Sequence, residues 1–314
     1  MKFVKVLLIL IILLSLTVCQ KQVKEENTVD NQTPSKYKIA LVMKTLTNPF
    51  FLTMEKGARE AEKNLGIELI VKTGSQETAI AQQIDIIRKL ISDKVDAIVI
   101  APASSIELVP ILAQAQKAGI VIVNIDNELD KDTSEKYELK NVPFISVDNE
   151  EGGYLSARYI SKDVTNKSQA VILEGIRSAQ NGIDRKNGAL RAFKENKNIE
   201  LLASESANWK IDEAYEVFAD MWKANSDIDL VFCANDMMAL GVVQFLKENN
   251  ITNVKVAAFD NIKEIKPHLE SGAVAVTIDQ QADIQGYKGV ETAYKLLNDE
   301  AIENVTVSVI VVTK

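Results

Sequence analysis

The chain has 314 residues, 46% hydrophobic and 25% charged, the balance of a soluble globular protein and enough length for two domains. Its formal net charge of -8 argues against the basic face that nucleic-acid binders carry. With 2 cysteines and 1 histidine it offers neither a disulfide framework nor a metal-ligand spacing, so no metal or other cofactor is expected.

Met1-Lys2-Phe3-Val4-Lys5 is a short basic start, and Val6 to Leu14 is unbroken apolar sequence. That run is short of the ~20 residues a membrane span needs, but it suits the core of an export signal. Leu16-Thr17-Val18-Cys19 resembles a bacterial lipobox, in which the signal is cut before a cysteine that then receives lipid. Val18 departs from that pattern, where a small residue is usual. Residues 1–18 are therefore expected to be a signal peptide, with Cys19 lipidated, and 19–36 a polar, disordered tether. Plain secretion or an uncleaved anchor is the alternative.

From Lys38 onward strand and helix signals alternate. Strands are predicted at Ile39–Met43, Ile67–Lys72, Ala97–Ile100 and Val121–Ile125, with helices at Leu52–Asn64, Thr78–Ser92 and Ile106–Lys117 between them. Pro49 suits the first turn of its helix, with Asn48 as the cap. Asn127 to Asn141 is polar and has no clear period, and Pro143–Val147 reads as a short strand. The pattern then restarts. Strands are expected at Ala170–Leu173, Glu200–Ala203, Leu230–Phe232, Val254–Phe259 and Val274–Ile278. Helices are expected at Gly152–Ser161, Gly182–Glu195, Asp212–Lys223, Met237–Glu248 and Ile262–Glu270. A helix at Ile284–Leu297 and a single strand at Val305–Val312 close the chain. Two βα series of similar length predict an α/β fold of two doubly wound parallel-sheet lobes with a ligand cleft between them. Cys233, in an apolar strand, reads as a buried small hydrophobe, and His268 as a solvated helix residue.

In such sheets ligands bind beyond the carboxyl ends of the strands. The residues there are Lys44, Asn48, Phe50 and Phe51, then Asp126 and Asn127, Asn208 and Trp209, Asn235 and Asp236, Asp260 and Asn261, Asp279 and Gln280. Arg185 stands near the start of a helix, after the loop Arg177 to Asn181. Each alone suits a cap or turn. Together they gather carboxylates, amides, a guanidinium and flat aromatic faces, a mixture that suits a sugar. Hydroxyls both donate and accept, and the C–H face of the ring packs on aromatic surface. Neither G-x-G-x-x-G nor a Walker motif is present to cradle phosphate. No paired-acid arrangement marks a hydrolase, so an enzyme is not expected.

Thr47-Asn48-Pro49-Phe50-Phe51, Val231-Phe232-Cys233-Ala234-Asn235-Asp236 with Met238-Ala239-Leu240-Gly241, and Phe259-Asp260 resemble the motifs of the periplasmic sugar-binding proteins of the ribose and allose type, which serve ABC importers. The resemblance runs from about Lys38 to the end of the chain. It implies two α/β lobes joined by three crossing segments, near Ser146, Gln280 and Val305. Residues 37–146 plus 281–306 would form the first lobe, and 147–280 plus 307–314 the second. It also implies that Asn48, Phe50 and Phe51 lie against the sugar ring, with Trp209 on its other face and Asp126 accepting from hydroxyls. Arg185, Asn235 and Asp260 would come from the second lobe, and Gln280 from a crossing. Lys44 and the length of the stretch between Asp126 and Val147 resemble the allose type more than the ribose type, while Asn127 stands where ribose binders carry an arginine and allose binders an acidic residue; the resemblance implies an aldohexose, allose-like, with ribose second. The implied protein is an extracytoplasmic, lipid-anchored monomer that delivers its sugar to an ABC permease. The alternative is a sensing receptor whose closed form docks on a chemoreceptor or sensor kinase. The same fold serves lac-repressor-type regulators, but there a DNA-binding segment stands where this chain has its export signal.

Overall fold

A computed structural model describes residues 37–314; the signal, Cys19 and tether expectations lie outside them. Lys38–Met43 (β1), Glu68–Thr73 (β2), Ala97–Ile100 (β3), Val121–Ile125 (β4) and Phe144–Val147 (β5) join Val305–Val307 (β11) in a six-stranded sheet, in the order β11-β5-β4-β3-β1-β2. Every pairing in it is parallel. Parallel sheets are covered on both faces, and their strands read as continuous apolar runs. In β1, Ile39, Leu41 and Met43 pack on Phe51 and Met54 of helix Pro49–Leu65 (α1). Ala40 and Val42 face the other way, toward Ile87 and Leu90 of Ile80–Asp93 (α2), with Val109–Lys117 (α3) beside it.

The second sheet holds Ser168–Glu174 (β6), Ile199–Ser206 (β7), Ile228–Cys233 (β8) and Lys255–Ala257 (β9), all parallel, in the order β7-β6-β8-β9. Its helices are Asn149–Ser161 (α5), Gln180–Glu195 (α6), Ile211–Ala224 (α7) and Asp236–Glu248 (α8), with the short Lys266–Ser271 (α9) after a 3-10 turn at Lys263–Ile265. Thr277–Asp279 (β10) continues the β9 edge, with the Asp260 amide donating to the Ile278 carbonyl at 2.7 Å. It pairs antiparallel with Ile310–Val312 (β12). Ala282–Leu296 (α10) returns to the first sheet and lies along α1 so closely that a Cβ on Gly57 would sit 1.9 Å from the Asp283 carbonyl oxygen.

The chain thus passes between the sheets after Val147, after Asp279 and at 308–309. The expected single strand at Val305–Val312 is two, β11 in one sheet and β12 against the other. The last crossing therefore lies beyond Val305, and the expected lobe boundary at 306/307 falls inside β11. The polar stretch after Asn127 contains Lys131–Lys136 (α4), a helix of charged residues and Thr133 and Ser134, capped by Asp130, whose carboxylate accepts from the Thr133 amide at 2.7 Å. With no apolar residue it has no period to read. The expected helix Ile262–Glu270 is a 3-10 turn followed by α9, with Pro267 in the first turn. Cys233 is buried at the end of β8, and burial pushes its thiol up.

Candidate ligand-binding cleft

Strand ends from both sheets meet around one small cleft. Lys44, Asn48, Phe50, Phe51, Asp126, Arg185, Trp209, Asn235, Asp260 and Gln280 line it, joined by Glu77 and Asn181.

The first-sheet side is built on caps and charges. Asn48 caps α1, its Oδ1 accepting from the Phe50 amide at 3.0 Å, while its Nδ2 donates to Glu77 Oε1 at 2.9 Å. That cap and Pro49 start the helix so that Phe50 and Phe51 follow at once, their rings edge to face at 5.0 Å. Lys44, where β1 ends, places Nζ 2.8 Å from Asp126 Oδ2, with both side chains almost fully buried. Asp126 takes a left-handed backbone, φ 64°, a conformation that Asp tolerates better than most residues. Its Oδ1 accepts from Asn181 Nδ2 of the second lobe at 3.3 Å. Burial pushes the Glu77 carboxyl above its ordinary value, against the opposing pull of Lys44 and the Asn48 amide.

On the second-sheet side Arg185 is fixed from several directions. Its Nε donates to Asn149 Oδ1 at 2.8 Å and a terminal nitrogen to the Ala234 carbonyl at 3.0 Å. The guanidinium lies 3.7 Å from the centre of the Phe259 ring and reaches Asp260 Oδ1 at 3.4 Å. Asp260 also accepts from Gln280 Nε2 at 2.7 Å. Burial lifts its carboxyl from 3.8 to about 7, with Arg185 pulling the other way. Behind it Asp236 is buried, held by Thr277 Oγ1 at 2.7 Å and the Ile262 amide at 2.8 Å, and burial with the charge of Asp260 raises its carboxyl well above the ordinary value. Asn235 caps α8 through Oδ1, accepting from the Met238 amide, and its Nδ2 donates to the Trp209 carbonyl at 3.4 Å.

Trp209 has φ 67°, an outlier for a bulky side chain. Its ring lies over the backbone of Gly175, where a Cβ would come within 2.0 Å of the indole. Trp209 Nε1 and Asn181 Oδ1 are buried without a hydrogen-bond partner in the chain. Buried polar groups are nearly always partnered, so a polar ligand is the natural complement. Among the described residues no cluster of His, Cys, Asp and Glu could hold a metal ion.

One expected contact is absent. Asn127 does not line the cleft: its Nδ2 donates to the Pro102 carbonyl at 3.1 Å and its Oδ1 accepts from Ser105 Oγ and the Asn181 amide. Glu77 and Asn181 were not singled out in the sequence. Glu77 stands four residues past β2, whose end carries no aromatic or Asp-Asn pair, and Asn181 lies in the first turn of α6, four residues before Arg185.

Two lobes of parallel sheet, three crossings and a cleft between the strand ends define the periplasmic binding protein architecture. Residues 39–301 match the family model for the periplasmic binding protein domain, and the chain belongs to that family of binding proteins, which are not enzymes. A D-ribose/D-allose-binding protein of Pseudomonas aeruginosa is 38% identical over 281 residues, 88% of either chain. A D-allose-binding periplasmic protein of Escherichia coli is 34% identical over 248 residues, 78% of this chain and 80% of that one. The solved structure of an ABC-transporter periplasmic solute-binding protein of Actinobacillus succinogenes with bound D-allose superposes with a TM-score of 0.84 at 38% identity, covering 89% of this chain and 98% of that one.

Proposed function

We propose that the protein captures a single aldohexose, allose-like, outside the cytoplasmic membrane, where Cys19 anchors it through lipid, and delivers it to an ABC importer. The observation that carries this reading is the composition of the cleft. Three carboxylates, two fixed cations and two unpartnered polar atoms surround a small space that also has flat aromatic surface. Such a set answers a ring that is polar at its rim and apolar on its faces. The relatives with ribose and allose in their names, and the relative solved with D-allose, support a monosaccharide. Lys44 supports the hexose: its ammonium reaches into the cleft beside Asp126, where it meets a hydroxyl that a pentose furanose lacks. Asn127, turned away from the cleft, plays no part in that choice.

Calorimetric titration of residues 20–314 with D-allose, other aldohexoses and D-ribose tests this. An aldohexose is expected to bind most tightly. Ribose binding more tightly than every aldohexose defeats the hexose reading, and heat from no sugar at all defeats the function. Lys44→Ser is expected to weaken hexose binding more than pentose binding.

A further inference from the structure

We infer that Ser105 and Asn127 are a latch that caps helix α6 across the cleft and sets how long the ligand stays. The inference rests on the proposed capture of a ligand by lobe closure. The first amides of a helix have no acceptor within it. Helix α6 begins after Ala179, whose side chain accepts nothing. Its first two donors are satisfied from the other lobe, while the Gly182 and Ile183 amides donate to the Ala179 carbonyl. The Gln180 amide donates to Ser105 Oγ at 3.1 Å, and the Asn181 amide donates to Asn127 Oδ1 at 3.2 Å. Beside them the Ser105 amide donates to the Ser178 carbonyl at 3.1 Å.

Ser105 follows β3 and Asn127 follows β4, so both acceptors belong to the six-stranded sheet, whereas α6 packs on the second sheet. Serine and asparagine are the side chains that cap helices well, and here they cap one in another lobe. They are also held ready. Ser105 Oγ donates to Asn127 Oδ1 at 3.3 Å, and Asn127 Nδ2 is tied to Pro102. Neither residue lines the cleft. Separating the lobes breaks these bonds and leaves the start of α6 bare, so the latch favours the closed form without touching the ligand. Such a residue acts on release more than on capture, because encounter takes place with the lobes apart.

The test uses Ser105→Ala, which removes one oxygen, beside Asn127→Ala, with Ser105→Thr as the conservative control that keeps the hydroxyl. Amide hydrogen exchange at Gln180 and Asn181 is read in the ligand-free protein and again at saturating D-allose, which holds the lobes together, with the β1 amides as the check that each variant folds. Release of D-allose is followed by stopped-flow tryptophan emission. The latch predicts faster exchange at those two amides and D-allose release faster by roughly five-fold for each lost cap, with association unchanged and threonine restoring both. Unchanged exchange in Ser105→Ala overturns the cap. Faster exchange with unchanged release overturns its role in retention. Should the parent bind no sugar, the capture reading fails, and the retention role fails with it, while the exchange result alone still decides the cap.

Discussion

Replacing Asp126 with asparagine removes a charge and almost no volume. Its partner Lys44 then keeps an ammonium 2.8 Å from a neutral amide, at a site where both side chains are only 2–3% exposed. Breaking a buried ion pair by removing one member is expected to cost about 3–5 kcal/mol, because the remaining charge is left uncompensated. At about 2–4 °C per kcal/mol for a domain of this size, that is a fall of roughly 6–20 °C in Tm. Lys44→Met in the same chain removes the stranded charge, and the double variant should regain about 2 kcal/mol relative to the sum of the singles. Urea unfolding of the four proteins closes the cycle. If the lobes stand open, water screens the pair and the cost falls toward about 1 kcal/mol. A single-variant cost below that, or strict additivity, refutes the reasoning from a buried pair.

Asp260, lifted from 3.8 to about 7, keeps its proton in the folded protein over a range where the unfolded chain has lost it. Its contribution to stability is thus full below about pH 4 and lost as pH rises to about 7; urea midpoints should show Asp260→Asn flattening that decline, and an unaltered pH profile would sink the assignment. Gly175→Ala puts a methyl group within 2.0 Å of the Trp209 ring and is expected to cost about 1–3 kcal/mol of stability by overpacking, with sugar affinity falling as the indole is displaced; unchanged calorimetry would mean the ring does not meet the sugar. Trp209→Phe should abolish most of the emission change on D-allose binding, whereas a surviving signal would point to Trp222 in α7. Cys19→Ser should release the protein from the membrane fraction, and retention at the same processed size would exclude lipid as the anchor.

The sheets were legible because buried parallel strands are apolar without interruption, as in Ile98-Val99-Ile100, and because Asn48-Pro49 and Gly66 punctuate α1 on both sides. The short, charged α4 was not, since a helix with no apolar face has no period. Nor was the break between β11 and β12, because Ser308-Val309 carries neither Gly nor Pro, and only the partners of each half, β5 and β10, reveal the crossing. In the cleft, the strand-end rule found the residues adjacent to strands. It missed Glu77, which loop length carries away from β2. It also placed Asn127 with its neighbour Asp126, although the left-handed backbone at 126 sends the two side chains to different partners.

The return of α10 and β11 to the first sheet has a consequence for how the molecule is made. One face of α1 and the outer edge of β5 are completed only by residues 282–307. A growing chain that has reached residue 280 holds most of a first lobe that cannot close. Contacts between such distant parts of the sequence form slowly, so neither lobe-by-lobe assembly nor early locking is open to this half of the molecule. A polypeptide built this way completes its first sheet only when nearly all of it is present, an order that suits a chain threaded through a narrow pore before it folds.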